Sequence, residues 1–220
     1  PFADRTGSGA HYNMSLADIN TGQNLFEPSA GSDRYGAGVS ELAYYFIGGV
    51  LRHAKAISAV VAPTVNSYKR LVRQGSMSGS TWAPVFCCYG NNNRTNMLRI
   101  PSAGSRVECR APDIACNPYL GAALMLAAGL EGIREQIDPG EPHRENMYNY
   151  SDADITAAGI ECLPKNLSEA IDSFTADLLA PKVFGEAMFT SFAQFKRAEW
   201  ESYHNTVSQW EIDRYLRLFG

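Results

Sequence analysis

Residues 91–110 read NNNRTNMLRIPSAGSRVECR and predict two strands joined by a turn. The charged residues of this stretch are Arg94, Arg99, Arg106, Glu108 and Arg110. Because side chains alternate along a strand, Arg106, Glu108 and Arg110 are predicted on one face of the second strand. Val107 and Cys109 then point to the opposite face. One face of this sheet is therefore charged and the other is apolar.

A row of guanidinium groups around one carboxylate suits a surface that binds anionic groups and a metal ion. Guanidinium forks bind carboxylate and phosphate groups through paired hydrogen bonds, and a hard cation prefers oxygen ligands. The spacing by itself favours the alternative, a solvated strand face on which ion pairs cross between strands. The pattern taken alone leaves both interpretations open.

Composition describes a globular chain and argues against two classes of partner. The chain has 220 residues, of which 45% are hydrophobic and 11% aromatic, and this is enough to bury a core. Its net charge of −4, without a run of Lys or Arg, gives no field for binding nucleic acid. The longest apolar run, residues 119–130, is shorter than the about 20 residues that span a bilayer. We expect a soluble, cytoplasmic protein with no membrane partner, and reduced, mostly buried cysteines.

Four segments resemble, in order and spacing, the catalytic domain of the glutamine synthetase family. They are TGSGAHYNMSL at 6–16, APTVNSYKRLV at 62–72, NNNRTNMLRIP at 91–101 and RVECRAPDIACNPYL at 106–120. The family carries NGSGMHxHxS, PTxNSYKRLV, NRSxxxRIP and RVExRxPDxxxNPYL in these places. The resemblance implies an ATP-dependent ligase that makes a γ-glutamyl amide through γ-glutamyl phosphate, with Mg²⁺ or Mn²⁺ as cofactor and glutamate as substrate.

The same resemblance implies a role for each matched residue. The metal ligands would be His11 and Glu108. The nucleotide would be held by Asn13, Ser15, Arg99 and Arg106. Glutamate would be bound by Gly7, Arg70 and Arg110. The catalytic residues would be Arg70, Arg94 and Arg110. Asn13 stands where the family most often has a second histidine, so any phosphate contact there would be neutral and weaker.

The segment 73–84, RQGSMSGSTWAP, departs from the family pattern. The family's usual PGYEAP carries a flap glutamate thought to deprotonate ammonium, and this chain has no acid there. A polar loop with Met77 and Trp82 would offer an alkylamine a less charged entry and a cation–π contact. Glutamine synthetase using ammonia and γ-glutamylmethylamide synthetase using methylamine both remain open. A non-catalytic structural homologue is a third hypothesis, although the retained charged residues argue against it.

The predicted fold is α+β, a curved, mostly antiparallel sheet whose concave face is the active site and whose other face carries helices. Strands are expected at 11–16, 83–89, 97–100 and 106–110, with a hairpin turn at Asn20–Gly22. Helices are expected at 40–62, at 117–133 buried on all sides, at 166–179 and within 187–219. His53 would be exposed or a structural partner, and Tyr148 would lie exposed in a loop.

The resemblance also leads us to expect that residues 1–220 are the C-terminal portion of the catalytic domain. An N-terminal β-grasp domain and the first part of the catalytic domain would precede them. The family forms ring-shaped homo-oligomers, and a dodecamer is the expected assembly. Because further metal ligands and a neighbour's residues would lie outside this chain, the 220 residues alone are expected to be inactive.

Overall fold

The structure is a computed structural model that describes residues 7–73, 82–216 and 218. Its sheet has the strand order β1-β4-β3-β2. The strands are β1 Tyr12–Met14, β2 Phe86–Asn91, β3 Asn96–Ile100 and β4 Val107–Cys109. β4 pairs antiparallel with both β1 and β3, whereas β3 and β2 are parallel. The α+β class with a mostly antiparallel sheet is confirmed, although β2 starts and ends later than predicted.

The strand register separates a charged face from an apolar face, as the alternation predicts. Glu108 lies opposite Asn13 on one side and opposite Arg99 on the other. Val107 and Cys109, which point the other way, are fully buried in the helical core. The charged face is therefore assembled from three neighbouring strands.

A short connection between the parallel strands β2 and β3 is held by buried polar side chains. Asn91 pairs with Ile100 and Phe86 pairs with Asn96, so residues 92–95 carry the chain back along the strand. Asn93 donates hydrogen bonds to the carbonyl oxygens of His143 and Glu145 at 2.8 and 2.7 Å. These bonds satisfy polar groups whose burial without a partner would be costly.

Helices pack against the apolar side of the sheet and against one another. Their bounds are α1 Glu41–Arg52, α2 Ala54–Val61, α3 Ser67–Arg70, α4 Pro118–Glu135, α5 Asp152–Ala157, α6 Leu167–Ala176, α7 Ala180–Phe184, α8 Glu186–His204 and α9 Gln209–Glu211. A short 3₁₀ helix, Met147–Asn149, and a π-helical turn, Ile212–Leu216, complete the set. In the part of the chain that the structure describes, no helix combines the length and apolarity needed to cross a membrane.

The single helix predicted over 40–62 is wrong, because the helix breaks at His53. Ser40 caps α1 as expected, accepting a hydrogen bond from the Ala43 amide at 3.3 Å. His53 leaves helical geometry, and its ring is held between two carboxylates on other elements. Its Nδ1 lies 2.6 Å from Asp177, and its Nε2 lies 2.9 Å from Glu131. His53 is 6% exposed, so it is a structural partner and not a solvent-facing residue.

Helix α4 begins as predicted but is not buried on all sides. The Asn117 side chain accepts hydrogen bonds from the amides of Tyr119 and Leu120, and Pro118 opens the helix. The helix packs mainly on α1 and α2 instead of covering the sheet. Leu126 and Leu130, on its other side, are 45% and 40% exposed. An apolar helix exposes such a stripe when its neighbours cover only one side.

One predicted turn is confirmed, whereas the predicted end of α6 and the predicted exposure of Tyr148 are wrong. The turn at 18–24 forms, with Gly22 at a φ of +71° and a bridge between Ala17 and Asn24. Helix α6 ends at Ala176 and not near residue 179, because Asp177 accepts the amides that start α7. Tyr148 is half-buried, with its hydroxyl donating to the Ala83 carbonyl, so its predicted exposure is wrong.

The cysteines follow the expectation only in part, and the C-terminal aromatic residues divide between packed and exposed positions. All five thiols are free, as predicted, but only Cys88 and Cys109 are buried. Phe192 of α8 packs on Phe174 of α6, with ring centroids 5.1 Å apart. Trp210 of α9, by contrast, is 63% exposed. Some aromatic side chains of the C-terminal helices therefore pack in the core, and others are exposed on the surface.

We predict that His53→Gln destabilises the protein by about 3 kcal/mol near pH 6. Burial disfavours the imidazolium, but hydrogen bonds to Asp177 and Glu131 outweigh it and raise the pKa of His53 above 6.5. The stabilisation is therefore complete below about pH 6.5 and is lost as pH rises through the raised pKa. Burial raises the pKa of Asp177, but its hydrogen bonds from His53 and from the amides of Ala180 and Leu179 lower it below 3.8, so strong acid also removes the His53–Asp177 interaction.

Urea unfolding of both proteins between pH 4 and 9 measures this difference. The free energy of unfolding should differ most in weakly acidic solution and converge at alkaline pH. His204→Gln, at an exposed histidine at the end of α8, is the matched control and should change little. A difference for His53→Gln that does not vary with pH would contradict the charged-imidazole interpretation.

Candidate active site

The charged face gathers side chains from three strands around one carboxylate. His11 lies just before β1, Arg99 lies in β3, Glu108 lies in β4, and Arg110 follows β4. Strand register makes them neighbours, since Glu108 is directly opposite both Asn13 and Arg99. The sequence separates His11 from Glu108 by almost half the chain, and the antiparallel pairing of β1 with β4 brings them together.

Glu108 contacts three charged or ionisable side chains. Its Oε2 accepts a hydrogen bond from Arg99 Nη1 at 2.6 Å. Its Oε1 accepts one from Arg110 Nη1 at 3.2 Å and lies 2.7 Å from His11 Nδ1. The side chains of Glu108 and Arg110 are 6% and 8% exposed. This is a largely buried charge cluster and not a solvated strand face, so the surface interpretation of the sequence pattern is wrong.

The surroundings keep Glu108 ionised and favour a neutral His11. Burial raises the pKa of Glu108, but the Arg99 hydrogen bond and the charge of Arg110 more than offset it, so the net pKa is lowered. Burial and the charge of Arg110 lower the pKa of His11 below 6.5, despite the proximity of Glu108. A neutral imidazole beside a carboxylate is the form that can bind a metal ion.

The arginines in the cluster retain unused hydrogen-bonding capacity. The buried Nε atoms of Arg70, Arg99 and Arg110 have no hydrogen-bond partner within the described ranges. Two guanidiniums sharing one carboxylate leave a net positive charge when His11 is neutral. An anionic ligand at this face would meet excess positive charge in a partly desolvated setting, where electrostatic attraction is strong.

The predicted nucleotide contacts Asn13 and Arg106 lie together beside the cluster. Arg106 Nε donates to Asn13 Oδ1 at 2.9 Å, and its Nη1 donates to the Ala103 carbonyl. Asn13 thus positions Arg106 and uses its carbonyl oxygen to do so. Ser15 is exposed at the end of the same polar row.

Arg70 lies where two segments of backbone meet. Its Nη2 donates to the carbonyls of Ala111 and Pro112, and the latter bond measures 3.1 Å. A Cβ added to Gly7 would come within 2.9 Å of the Arg70 Cγ and Cδ atoms. The glycine therefore allows the loop at 7–10 to approach the arginine. Arg70, Gly7, Asp113 and Glu199 line an open cavity of about 520 Å³.

Arg94 is exposed, whereas the other predicted site arginines, Arg70, Arg99, Arg106 and Arg110, are half-buried or buried. Burial is the main reason that the pKa of Arg110 is lowered, and the positive charges of Arg99 and Arg94 add to it. The charge of Arg94 therefore acts on the cluster. An exposed, long cation beside a buried anion-binding face can approach a ligand without first breaking an ion pair. The structure brings the remaining predicted residues into two adjoining groups, one around Glu108 and one around Arg70.

The donor set fits part of a divalent-cation site. His11 Nδ1 and Glu108 Oε1 converge to 2.7 Å and combine nitrogen and oxygen ligands. Across residues 7–73, 82–216 and 218, no group of three or more His, Cys, Asp or Glu side chains converges in this way. These two residues would therefore supply two ligands, fewer than the about six that Mg²⁺ requires.

One residue of the site was missed by the sequence analysis. Asn92 follows β2, has a φ of +49°, and accepts a hydrogen bond from Arg99 Nη2 at 3.1 Å. The run of three asparagines at 91–93 contained the signal, because asparagine is among the few residues that tolerate left-handed backbone.

The fold and this face define an α+β domain with a cluster of arginines around a buried carboxylate on its sheet. The chain belongs to the glutamine synthetase family: the family model described as "Glutamine synthetase, catalytic domain" matches residues 1–215. A glutamate–methylamine ligase from Methyloversatilis universalis is 45% identical over 219 residues, covering 100% of this chain and 48% of the relative. A glutamine synthetase from Methanosarcina mazei is 41% identical over 222 residues, covering 99% of this chain and 47% of the relative.

A solved structure of GmaS in complex with ADP is similar in fold as well as in sequence. It superposes with a TM-score of 0.85 at 44% identity, covering 98% of this chain and 47% of that chain. A ligand-free GmaS structure gives a TM-score of 0.79 at 42% identity, covering 98% of this chain and 46% of that chain. The chain thus spans about half the length of the relatives it matches.

We predict that Glu108→Gln destabilises the full-length protein by about 3 kcal/mol, because Arg99 and Arg110 would lose their shared counter-charge in a buried setting. Chemical denaturation measures the loss. Glu161→Gln is the matched control, since Glu161 also contacts a cation, Lys55 at 2.6 Å, but is exposed. The control should change stability by less than about 1 kcal/mol. Equal effects of the two substitutions would contradict the buried cluster.

Proposed function

We propose that this chain carries part of the active site of an ATP-dependent ligase that joins glutamate to a small amine through γ-glutamyl phosphate. The observation that carries the proposal is the cluster of Arg99, Arg110 and His11 around the buried Glu108. A carboxylate substrate and ATP are both anionic and repel each other. A face with excess guanidinium charge offsets that repulsion and so permits their approach.

The chemistry requires two displacements. An oxygen of the glutamate side-chain carboxylate attacks the γ-phosphorus of ATP, and the bond to the β-phosphate oxygen breaks to release ADP. The amine nitrogen then attacks the acyl carbon, phosphate leaves with the carbon–oxygen electron pair, and a proton is lost from nitrogen. Phosphorylation is needed because a free carboxylate is a poor electrophile.

The residues divide between the two substrates in this proposal. Gly7, Arg70 and Arg110 bind glutamate, and Asn13, Ser15, Arg99 and Arg106 bind the nucleotide. Arg94 stabilises charge on the transferring phosphoryl group, and its exposure on the charged side of the sheet supports that role. Removing one such charge-stabilising donor costs about 3 kcal/mol of transition-state stabilisation.

His11 and Glu108 would hold Mg²⁺ or Mn²⁺ together with further ligands from outside the described residues. The ion, when bound, would neutralise phosphate charge. His11 suits this role because its neutral form offers a lone pair, and the 2.7 Å contact places its Nδ1 beside Glu108 Oε1.

Ammonia is the first candidate for the amine, and methylamine is the second. The acid-free segment 73–84 and the similarity to a glutamate–methylamine ligase favour methylamine. The similarity to glutamine synthetases favours ammonia. Of the two residues considered for amine entry, Trp82 is described and is 50% exposed, while Met77 lies outside the described residues.

The test is phosphate release by the full-length protein with ATP, Mg²⁺ and glutamate, comparing ammonium with methylamine across concentrations. We expect release that depends on both glutamate and an amine. A higher kcat/KM for methylamine would identify segment 73–84 as a specificity element, and a higher value for ammonium would identify a nitrogen-assimilating enzyme. No release with either amine would contradict the proposed function and favour a non-catalytic homologue.

A ring-shaped homo-oligomer, a dodecamer, is also part of the proposal. Phe195, Trp210 and Leu216, in the C-terminal helices, are 69%, 63% and 70% exposed. Contact with another subunit would cover them. A monomeric mass of the full-length protein by light scattering would contradict this.

Gly7→Ala should lower kcat/KM for glutamate by about ten-fold, because the added methyl group would displace Arg70. Gly9→Ala is the matched control in the same loop, since its Cβ would lie 3.7 Å from Arg70 Nη1, an ordinary contact. Steady-state kinetics with glutamate as the varied substrate distinguish the two variants. Equal activity of Gly7→Ala and Gly9→Ala would show that the close approach is unimportant.

A further inference from the structure

The guanidinium group of Arg99 is held by two acceptors of different charge. Nη1 donates to the ionised Glu108 at 2.6 Å, and Nη2 donates to the amide oxygen of Asn92 at 3.1 Å. A guanidinium bound at one nitrogen can pivot about that bond. A second acceptor on the neighbouring nitrogen fixes the plane of the group and so determines where the rest of its edge points.

Asn92 is itself held rigidly at the end of β2. Its backbone N–H donates to the Ile100 carbonyl at 2.9 Å, and its Oδ1 also accepts a hydrogen bond from the Ser102 amide at 3.2 Å. Its φ of +49° is a left-handed conformation that costs most residues free energy and that asparagine tolerates. A residue in a strained conformation persists when the surrounding structure holds it there. Here the strained residue is Asn92, and its side chain binds Arg99.

The neutrality of the Asn92 amide matters for the charge of the face. Arg99 and Arg110 carry two positive charges against the single negative charge of Glu108. A carboxylate at position 92 would cancel the remaining excess, whereas an amide orients Arg99 and leaves its charge available to an anion.

We propose that Asn92 is a positioning residue that holds Arg99 in the orientation that contacts the nucleotide phosphates. This inference rests on the proposed function, because it assigns Arg99 to the nucleotide. Asn92 is not expected to touch the substrate itself. Its contribution should therefore appear in nucleotide affinity and not in affinity for the amine.

The first experiment compares full-length wild-type protein with Asn92→Gly. Glycine accepts the positive φ, so the variant removes the acceptor while keeping the backbone conformation. We expect the Kd for ADP with Mg²⁺, measured by calorimetry, and the KM for ATP to rise about ten-fold, as for loss of one hydrogen bond to a charged group. The KM for the amine and the Tm should stay near wild-type values.

Gln136→Gly is the matched control, because Gln136 is the other non-glycine residue with positive φ in the described ranges and ends α4. It should leave ADP affinity unchanged. Unchanged ADP affinity in Asn92→Gly, with wild-type protein that binds ADP, would overturn this inference alone. Wild-type protein that neither binds ADP nor releases phosphate would instead count against the proposed function.

A double-mutant cycle that combines Asn92→Gly with Arg99→Lys provides an independent test. If Asn92→Gly does not fold, Asn92→Ser replaces it in the cycle. Lysine offers a single ammonium and cannot span both acceptors. If Asn92 acts through Arg99, its substitution should weaken ADP binding by less than about two-fold in the Arg99→Lys background. A full ten-fold loss in that background would show that Asn92 acts independently and would overturn the proposal.

Discussion

The charged face of this domain depends on one buried carboxylate, Glu108, which is shared by two arginines and a histidine. The carboxylate allows positive charge to be concentrated on a desolvated sheet, since unpaired guanidiniums would not be stable there. The arrangement leaves one positive charge in excess, and under the proposed function this excess attracts the anionic substrates. The same interaction also stabilises the fold locally.

The rest of the chain holds that carboxylate in place from both sides. Val107 and Cys109 anchor β4 in the helical core, while β1 and β3 bring His11 and Arg99 to its two edges. Neutral side chains then orient the cations, as Asn13 does for Arg106 and Asn92 for Arg99. Amides suit this task because they accept hydrogen bonds without cancelling charge.

Local patterns predicted most elements, and errors arose where a distant partner overrode the local pattern. Ser40 and Asn117 cap their helices as expected, because capping depends on neighbouring residues. The break at His53 was missed, since Asp177 and Glu131 lie far along the chain. The exposed stripe on α4 was missed for a related reason: apolarity does not reveal how many neighbours a helix has.

The sequence by itself determined the family, the alternation of charged and apolar residues, and the residue types of the charged face. It could do so because motifs and periodicity are properties of neighbouring positions. The tertiary structure alone decided that Glu108 is buried, that His11 contacts it, and that Asn92 supports Arg99. Burial and contact across strands depend on register and on the packing of segments far apart in sequence. No local pattern contains that information.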